Sequence, residues 1–334
     1  MNNKTIIIAE IAQSHIGSLK KIKQIIEKVS ATKVDFIKFQ THIAEAESTL
    51  DEPFRIKIKN FKNRIDYWKK MEFSEKEWRE IKRYCEKKKI KFLSSPFSEK
   101  AVDLLEKINT PAWKIGSGEF FSKSLLNKIC DTKKPIFLST GLATLKDISK
   151  VVKFLKKKKS KFVIMQCTSL YPCPVSEIGI NNLDVIKKKF NCNVGLSDHS
   201  GSIVPSIYAM VKGANIVEVH VATEKNYKNP DLDASINLEQ LKELVLARNL
   251  IFKLKKFPTN KNKISNKLKK TKKIFTKSCT LKKDKKKGYK IKLKDITFKK
   301  PGFGIKEENV NKIIGKILVR DVNSNRILKK DDFK

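Results

Sequence analysis

Eight short apolar runs, each followed by a helical pattern, constrain this chain more than any other feature. The runs lie at 5–9, 34–39, 91–94, 112–115, 135–138, 162–166, 193–196 and 216–219. The helical patterns lie at 19–31, 75–88, 99–107, 123–131, 145–157, 182–190, 203–212 and 237–257. Ser74 with Glu77 three residues on forms a capping-box pattern that marks the second helix start. Eight strand–helix units in about 255 residues is the arithmetic of a (β/α)8 TIM barrel, class α/β, with a doubly wound open sheet as the alternative. The barrel takes residues 1–256. Residues 257–273 break the alternation with a lysine-rich stretch that reads as a linker, and 274–334 read as a small β-rich module with a Gly-rich loop at 299–305.

A barrel makes a demand that the sequence can answer: chemically capable residues should follow each strand, because all eight strands end at one rim. They do. The strand ends carry Glu10; Lys38 and Gln40; Ser94 and Ser95; Lys114, Ser117 and Glu119; Ser139 and Thr140; Gln166, Thr168, Ser169 and Tyr171; Ser197, Asp198 and His199; and Glu218 and His220. Turn and cap chemistry accounts for many of the hydroxyls. It does not account for Lys38 and Lys114, which sit inside the apolar triplets IKF and WKI, where an ammonium needs an anion. Two partners are open: a small phosphate and carboxylate ligand held also by the Ser-Gly turns at 116–118 and 139–141, or a structural ion pair with Glu10 or Glu119. The chain has only four histidines. Two of them, His199 and His220, fall at equivalent ends of neighbouring strands, a placement suited to a divalent metal with open positions. Asp198 and Glu218 flank them as expected partners that orient the rings.

Composition narrows the function class. The formal charge of +39 suggests a polyanion surface, but lysine is spread along almost every helical pattern rather than gathered into one arm, so solvated helix faces are expected and nucleic acid is not. Six cysteines show no CxxC pair and no disulfide-framework spacing, which points to reduced thiols in the cytoplasm; Cys173 is the one expected near a site. No apolar run approaches membrane-spanning length, and no export signal precedes the first strand. The segment 41–73 exceeds an ordinary βα loop and is expected either to fold over the barrel mouth or to make a subunit contact.

Nine motifs carry a resemblance: AEIAQSHIG at 9–17, IKFQTH at 37–42, FLSSPF at 92–97, WKIGSGE at 113–119, LSTG at 138–141, QCTSLYPCP at 166–174, GLSDHSG at 195–201, EVHV at 218–221 and PGFGI at 301–305. In this order they resemble the sialic acid synthase family, which condenses phosphoenolpyruvate with an N-acylated hexose and carries a C-terminal antifreeze-like (SAF) domain. The resemblance implies His199 and His220 as ligands of Mn2+ or Mg2+. It implies Lys38, Ser95, Lys114, Ser117, Ser139, Ser169 and Ser197 for phosphoenolpyruvate, and Glu10 for the reacting water. Gln40, Tyr171 and Asp231 would face the sugar, joined by Lys300 of the partner subunit in a domain-swapped homodimer.

Departures from the family pattern are Ala12 and Ser14 for Gly and Asn, Ser169 for Asn, Thr276 and Lys277 before Ser278 for arginines, and Lys300 for arginine. The last exchanges a planar fork for a point charge and bears on which sugar is held. N-acetylmannosamine, giving N-acetylneuraminate, is the default sugar. A diacetamido-trideoxy hexose, giving legionaminic or pseudaminic acid, is the alternative. Other phosphoenolpyruvate-condensing barrels that make keto-deoxy sugar acids lack the PGFGI module. A basic nucleic-acid-binding protein would explain the charge but not the strand ends, and a catalytically dead scaffold would not retain the two histidines and two lysines.

Overall fold

The computed structural model describes residues 4–56, 58, 61–224 and 230–334. The chain forms two compact units, Met1–Phe257 and Pro258–Lys334. In the first, eight parallel strands are β1 (Ile6–Glu10), β2 (Phe36–Thr41), β3 (Lys91–Pro96), β4 (Trp113–Ile115), β5 (Ile136–Ser139), β6 (Phe162–Cys167), β7 (Asn193–Asp198) and β8 (Ile216–Val221). Ladders join them in the order β3-β2-β1-β8-β7-β6-β5-β4, and β3 lies against β4 to complete the ring. The barrel reading therefore holds and the open sheet does not. Several strands run one or two residues beyond the apolar runs, so Glu10, Gln40, Ser139, Asp198 and His220 lie within strands rather than after them.

Helices α1 (Leu19–Ser30), α4 (Glu75–Lys87), α5 (Glu99–Lys107), α6 (Lys123–Asp131), α7 (Leu145–Lys157), α8 (Asn182–Phe190), α9 (Val204–Val211) and α10 (Leu238–Lys256) follow the strands in turn. Full capping boxes at Ser74/Glu77, Thr144/Asp147 and Asn237/Gln240 fix three helix starts, each worth about 1 kcal/mol. Strand parity then divides the core. Ile7, Ile37, Ile115, Leu138, Ile164, Leu196 and Val217 point outward and pack with the helices. Ile8, Phe36, Leu93, Ala112, Phe137, Val163 and Ile216 point inward and plug the lower lumen. Two residues on, the same inward face of the same strands carries Glu10, Lys38, Ser95, Lys114, Ser139 and Glu218. Alternation alone thus stacks a charged layer on an apolar floor.

The segment after β2 holds two short helices, α2 (Ala44–Glu47) and α3 (Arg64–Met71), and its own small core of Ala44, Tyr67, Trp68 and Met71. Of the two roles expected for it, the structure displays the first. Phe54, Arg55, Tyr67 and Trp68 form part of the wall of the barrel mouth.

In the second unit, α11 (Asn266–Phe275) forms within the lysine-rich stretch, with no buried residue. A two-residue strand of the first unit, β9 (Ser235–Ile236), extends the barrel sheet beside β8; in the second unit β10 (Ser278–Leu281) and β11 (Ile296–Lys299) pair antiparallel. Cys279, Leu281, Ile291, Ile296, Ile313, Leu318, Val322 and Leu328 make a separate core. Among the described residues, no helix is long and apolar enough to cross a membrane.

Candidate active site

The inward positions open into a cavity of about 450 Å3 at the C-terminal rim. Its wall includes every barrel residue that the family resemblance implies for the site, Glu10, Lys38, Gln40, Ser95, Lys114, Ser117, Ser139, Ser169, Tyr171, Ser197, His199, His220 and Asp231, but not the strand-end residues Ser94, Thr140, Gln166, Thr168 and Asp198. Lys300 belongs to the second unit, where its ammonium sits 5.5 Å from the centre of the Phe275 ring.

At the bottom of the cavity the two lysines share two carboxylates. Lys38 Nζ lies 2.6 Å from Glu10 Oε2 and 3.7 Å from Glu218 Oε1, and Lys114 Nζ lies 3.4 Å from the same Glu218 oxygen. Of the two partners left open for the lysines, the ion pair with Glu10 is therefore present, while Glu119 makes no such pair among the described residues. Burial works against charge on Glu218, but the ammoniums of Lys114 and Lys38 outweigh it and hold the carboxyl below its usual range. Burial likewise opposes the charge on Lys38, and Glu10 and Glu218 outweigh it, raising its pKa. Glu10 goes the other way, pushed up by burial and by the neighbouring Glu218 against the pull of Lys38. Lys38 also donates to Ser95 Oγ at 3.1 Å, and Ser197 Oγ donates to Glu218 at 3.3 Å. Ser139 Oγ and Glu218 Oε2 are buried without a hydrogen-bond partner among the described residues, which leaves polar atoms for a ligand to satisfy.

Glu218 therefore corrects one expectation. It turns to the lysines and not to the histidine rings. Glu218 and His220 share the inward parity of β8, so the carboxylate lies one layer below the imidazole and meets cations from across the lumen. Asp198, of opposite parity to Ser197 and His199, spends its carboxylate on the backbone N–H and hydroxyl of Ser200. The Thr168 carbonyl takes the orienting role at His199, 2.9 Å from Nδ1.

The two imidazoles face each other with ring centres 5.2 Å apart. Burial lowers the His220 pKa to about 3, so the ring is neutral. At His199 burial also opposes charge, but Cys167 and the Thr168 carbonyl favour a proton on Nδ1 and raise the pKa. In the neutral ring, with Nδ1 donating to the Thr168 carbonyl, the lone pair lies on Nε2. Both rings thus present a nitrogen suited to a cation. Among the described residues no third His, Cys, Asp or Glu joins them in a closed cage. Tyr171 stacks on His199 at 4.1 Å, and burial keeps its phenol protonated. Cys167 is the cavity thiol, 3.9 Å from His199 Nδ1, which corrects the expectation placed on Cys173. Cys173 instead donates its backbone N–H to the His199 carbonyl.

Sequence reasoning missed a ring of supporting residues. Arg55 bonds Asp231 at 2.6 Å and lies 4.4 Å over the Tyr171 ring. Beside them Glu119, which the strand-end reading did name, is half-buried and has its pKa raised to about 7 by desolvation, with Glu47 adding to the shift. Gln13, His42 and Glu47 join Gln40 above Glu10. The QTH run at 40–42 was a usable signal for His42, and its parity with Gln40 puts both on the inward face. Arg55 had none, being in an irregular loop.

The fold and this rim define the class: a (β/α)8-barrel protein whose mouth gathers two buried lysines, two buried glutamates and two buried imidazoles. The family follows from comparison. The NeuB family model matches residues 25–257 and the SAF domain model matches 276–334, and the chain belongs to the NeuB family. It is 32% identical to the N,N'-diacetyllegionaminic acid synthase of Campylobacter jejuni, over 98% of this chain and 99% of that protein. It is 31% identical to the human N-acetylneuraminate-9-phosphate synthase, over 76% of this chain and 72% of that one. The crystal structure of N-acetylneuraminic acid synthetase from Leptospira borgpetersenii, in complex with citrate, superposes with a TM-score of 0.70 at 27% identity, covering 81% of this chain and 90% of that chain.

Proposed function

We propose that this protein is a sialic-acid-type synthase that condenses phosphoenolpyruvate with an N-acylated hexose and releases phosphate by C–O cleavage. The observation that carries this reading is the convergence of Lys38, Lys114, Glu10, His199 and His220 on one cavity. Lys38 and Lys114 would neutralise the phosphate and carboxylate of phosphoenolpyruvate, with the hydroxyls of Ser95, Ser139 and Ser197 beside them to donate to the same ligand. Glu10 would hold the water that adds at C2 while C3 attacks the sugar's aldehyde. His199 and His220 fit a divalent ion through Nε2 of the one and the neutral ring of the other. Mn2+ or Mg2+ bound there would supply Lewis-acid polarisation of the aldehyde oxygen. Gln40, Tyr171 and Asp231 line the part of the cavity left for the sugar, and exchange of SAF domains in a dimer would add Lys300 of the partner subunit.

N-acetylmannosamine is the first sugar to offer. The end-to-end match with the N,N'-diacetyllegionaminic acid synthase favours a diacetamido-trideoxy hexose as a second reading. Phosphate release from phosphoenolpyruvate with Mn2+, with each sugar in parallel and with His220→Ala as control, tests both. Release that needs one sugar and vanishes in the variant supports the synthase and names its substrate. No release with either sugar, together with salt-sensitive RNA binding, overturns it in favour of a polyanion-binding protein.

A further inference from the structure

His42 is 3% exposed and lies flat between two aromatic rings, Trp68 at 4.0 Å and Phe97 at 4.5 Å, each 16° from parallel. Its two nitrogens are both engaged. Nδ1 lies 2.6 Å from Glu47 Oε1, and Nε2 lies 3.2 Å from Gln40 Oε1. The far side of the Gln40 carboxamide donates from Nε2 to Glu10 Oε1 at 3.0 Å. Glu10 Oε1 also accepts the Ala12 N–H at 3.1 Å.

The directions of these bonds follow from what each group is able to do. Glu10 Oε1 is an acceptor, so the Gln40 NH2 must face it. The Gln40 oxygen must then face the other way, where it accepts from Gln13 Nε2 and from His42 Nε2. His42 therefore donates from Nε2, and the short Nδ1–Glu47 contact holds a proton between those two atoms. Reversing the Gln40 amide would put its oxygen against the Glu10 carboxylate, acceptor on acceptor.

We propose that His42 is a positioning residue. Held by Glu47 and by the Trp68–Phe97 sandwich, it fixes the Gln40 carboxamide so that the NH2 group aims Glu10 at the reacting water. This rests on the synthase reading of Glu10, but its geometric part stands without turnover. The segment after β2 therefore does more than wall the mouth: through Glu47 and Trp68 it sets the orientation of a group on β1.

Two measurements test this. In the wild-type protein, with four histidines to assign, long-range 1H–15N NMR should find His42 Nε2 protonated and a strongly deshielded Nδ1 proton. An unprotonated Nε2 overturns the assignment whether or not the protein turns over any sugar. In kinetics, His42→Phe keeps the sandwich and removes both N–H groups. Phosphate release should show kcat down about 10- to 100-fold, with the KM for phosphoenolpyruvate within about twofold of wild type. His42→Gln, whose amide is able to donate to Gln40, should recover part of the loss. Equal kcat in His42→Phe and wild type, or no recovery in a folded His42→Gln, overturns the positioning role. An inactive wild type with a protonated Nε2 would instead count against the synthase reading and leave the hydrogen-bond assignment supported.

Discussion

Glu10 and Lys38 are opposite partners in the β1–β2 ladder, and their charged groups meet at 2.6 Å in the barrel mouth. The pair is buried on both sides, 1% and 5% exposed by side chain. Such a pair is costly to break and not to replace. Lys38→Met should lower the unfolding free energy by about 3–5 kcal/mol, because Glu10 loses its closest cation. Lys38→Met with Glu10→Gln should restore most of that stability. Phosphate release should fall roughly 100- to 1000-fold in both. Urea denaturation and the phosphate assay read the two effects separately. Equal stability of Lys38→Met and wild type would show the pair to be energetically idle.

Glu218 bridges Lys38 and Lys114, so any phosphate that binds the lysines must compete with a carboxylate already there. Glu218→Gln removes the competitor and keeps the shape. Inorganic phosphate should then bind about tenfold more tightly by calorimetry, a change of about 1.4 kcal/mol. Stability should fall by a few kcal/mol as two buried ammoniums lose a shared partner, on the order of the cost of opening a buried pair. Weaker phosphate binding in the variant would mean that Glu218 organises the pocket and does not oppose its ligand.

How far the sequence foretells this site depends on parity. Lys38 and Lys114 stood out because an ammonium inside an apolar triplet needs an anion, whether ligand or ion-pair partner, and His199 and His220 because two strand ends repeated one residue type. Glu218 was legible in principle, two residues before His220 on the same strand face. Reading it as a partner of the adjacent ring followed sequence distance and not the face of the strand. Asp198 failed for the complementary reason, since its parity turns it away from the lumen. Arg55 and Glu47 were not legible at all: both reach the site from a segment that follows no strand or helix period, and only tertiary contacts place them, Arg55 on Asp231 and Tyr171 and Glu47 on His42. The small helix Asn266–Phe275 was hidden by its lysines, because its few apolar residues, Leu268, Ile274 and Phe275, are outnumbered and none is buried.

Gly141 marks where the hydroxyl pocket is tightest. A Cβ there would come within 2.3 Å of Ser169 Oγ, 2.8 Å of Ser117 Oγ and 2.9 Å of Cys167 Sγ. Its N–H also donates to Ser117 Oγ at 2.9 Å. Gly141→Ala should push the two serine hydroxyls apart in the cavity. The expected result is loss of phosphoenolpyruvate binding by calorimetry, at a stability cost of about 1–3 kcal/mol. Binding at wild-type strength would remove Ser117 and Ser169 from the phosphoenolpyruvate pocket.

His15, in the loop after β1, sets how the barrel responds to acid. It is 1% exposed, and its Nδ1 accepts the Gly17 N–H at 3.0 Å, so the folded protein holds it neutral with its proton on Nε2. Burial, reinforced by the nearby His42, lowers its pKa from the ordinary 6.5 to about 3. A histidine in the unfolded chain takes up its proton near pH 6.5, and the folded one only near pH 3. In that window the unfolded state binds more protons, so stability is fully present above pH 6.5 and is lost as pH falls toward 3. One such group removes about 1.4 kcal/mol per pH unit, or about 2 kcal/mol between pH 7 and pH 5. His15→Asn keeps an acceptor for Gly17 and has nothing to protonate. Urea unfolding of both proteins at pH 7, 6 and 5 should show the variant gaining on wild type by that amount. Parallel pH profiles would mean that His15 titrates alike in the folded and unfolded chain, and that the acid sensitivity comes from other groups, among them His220, whose depressed pKa acts with the same sign.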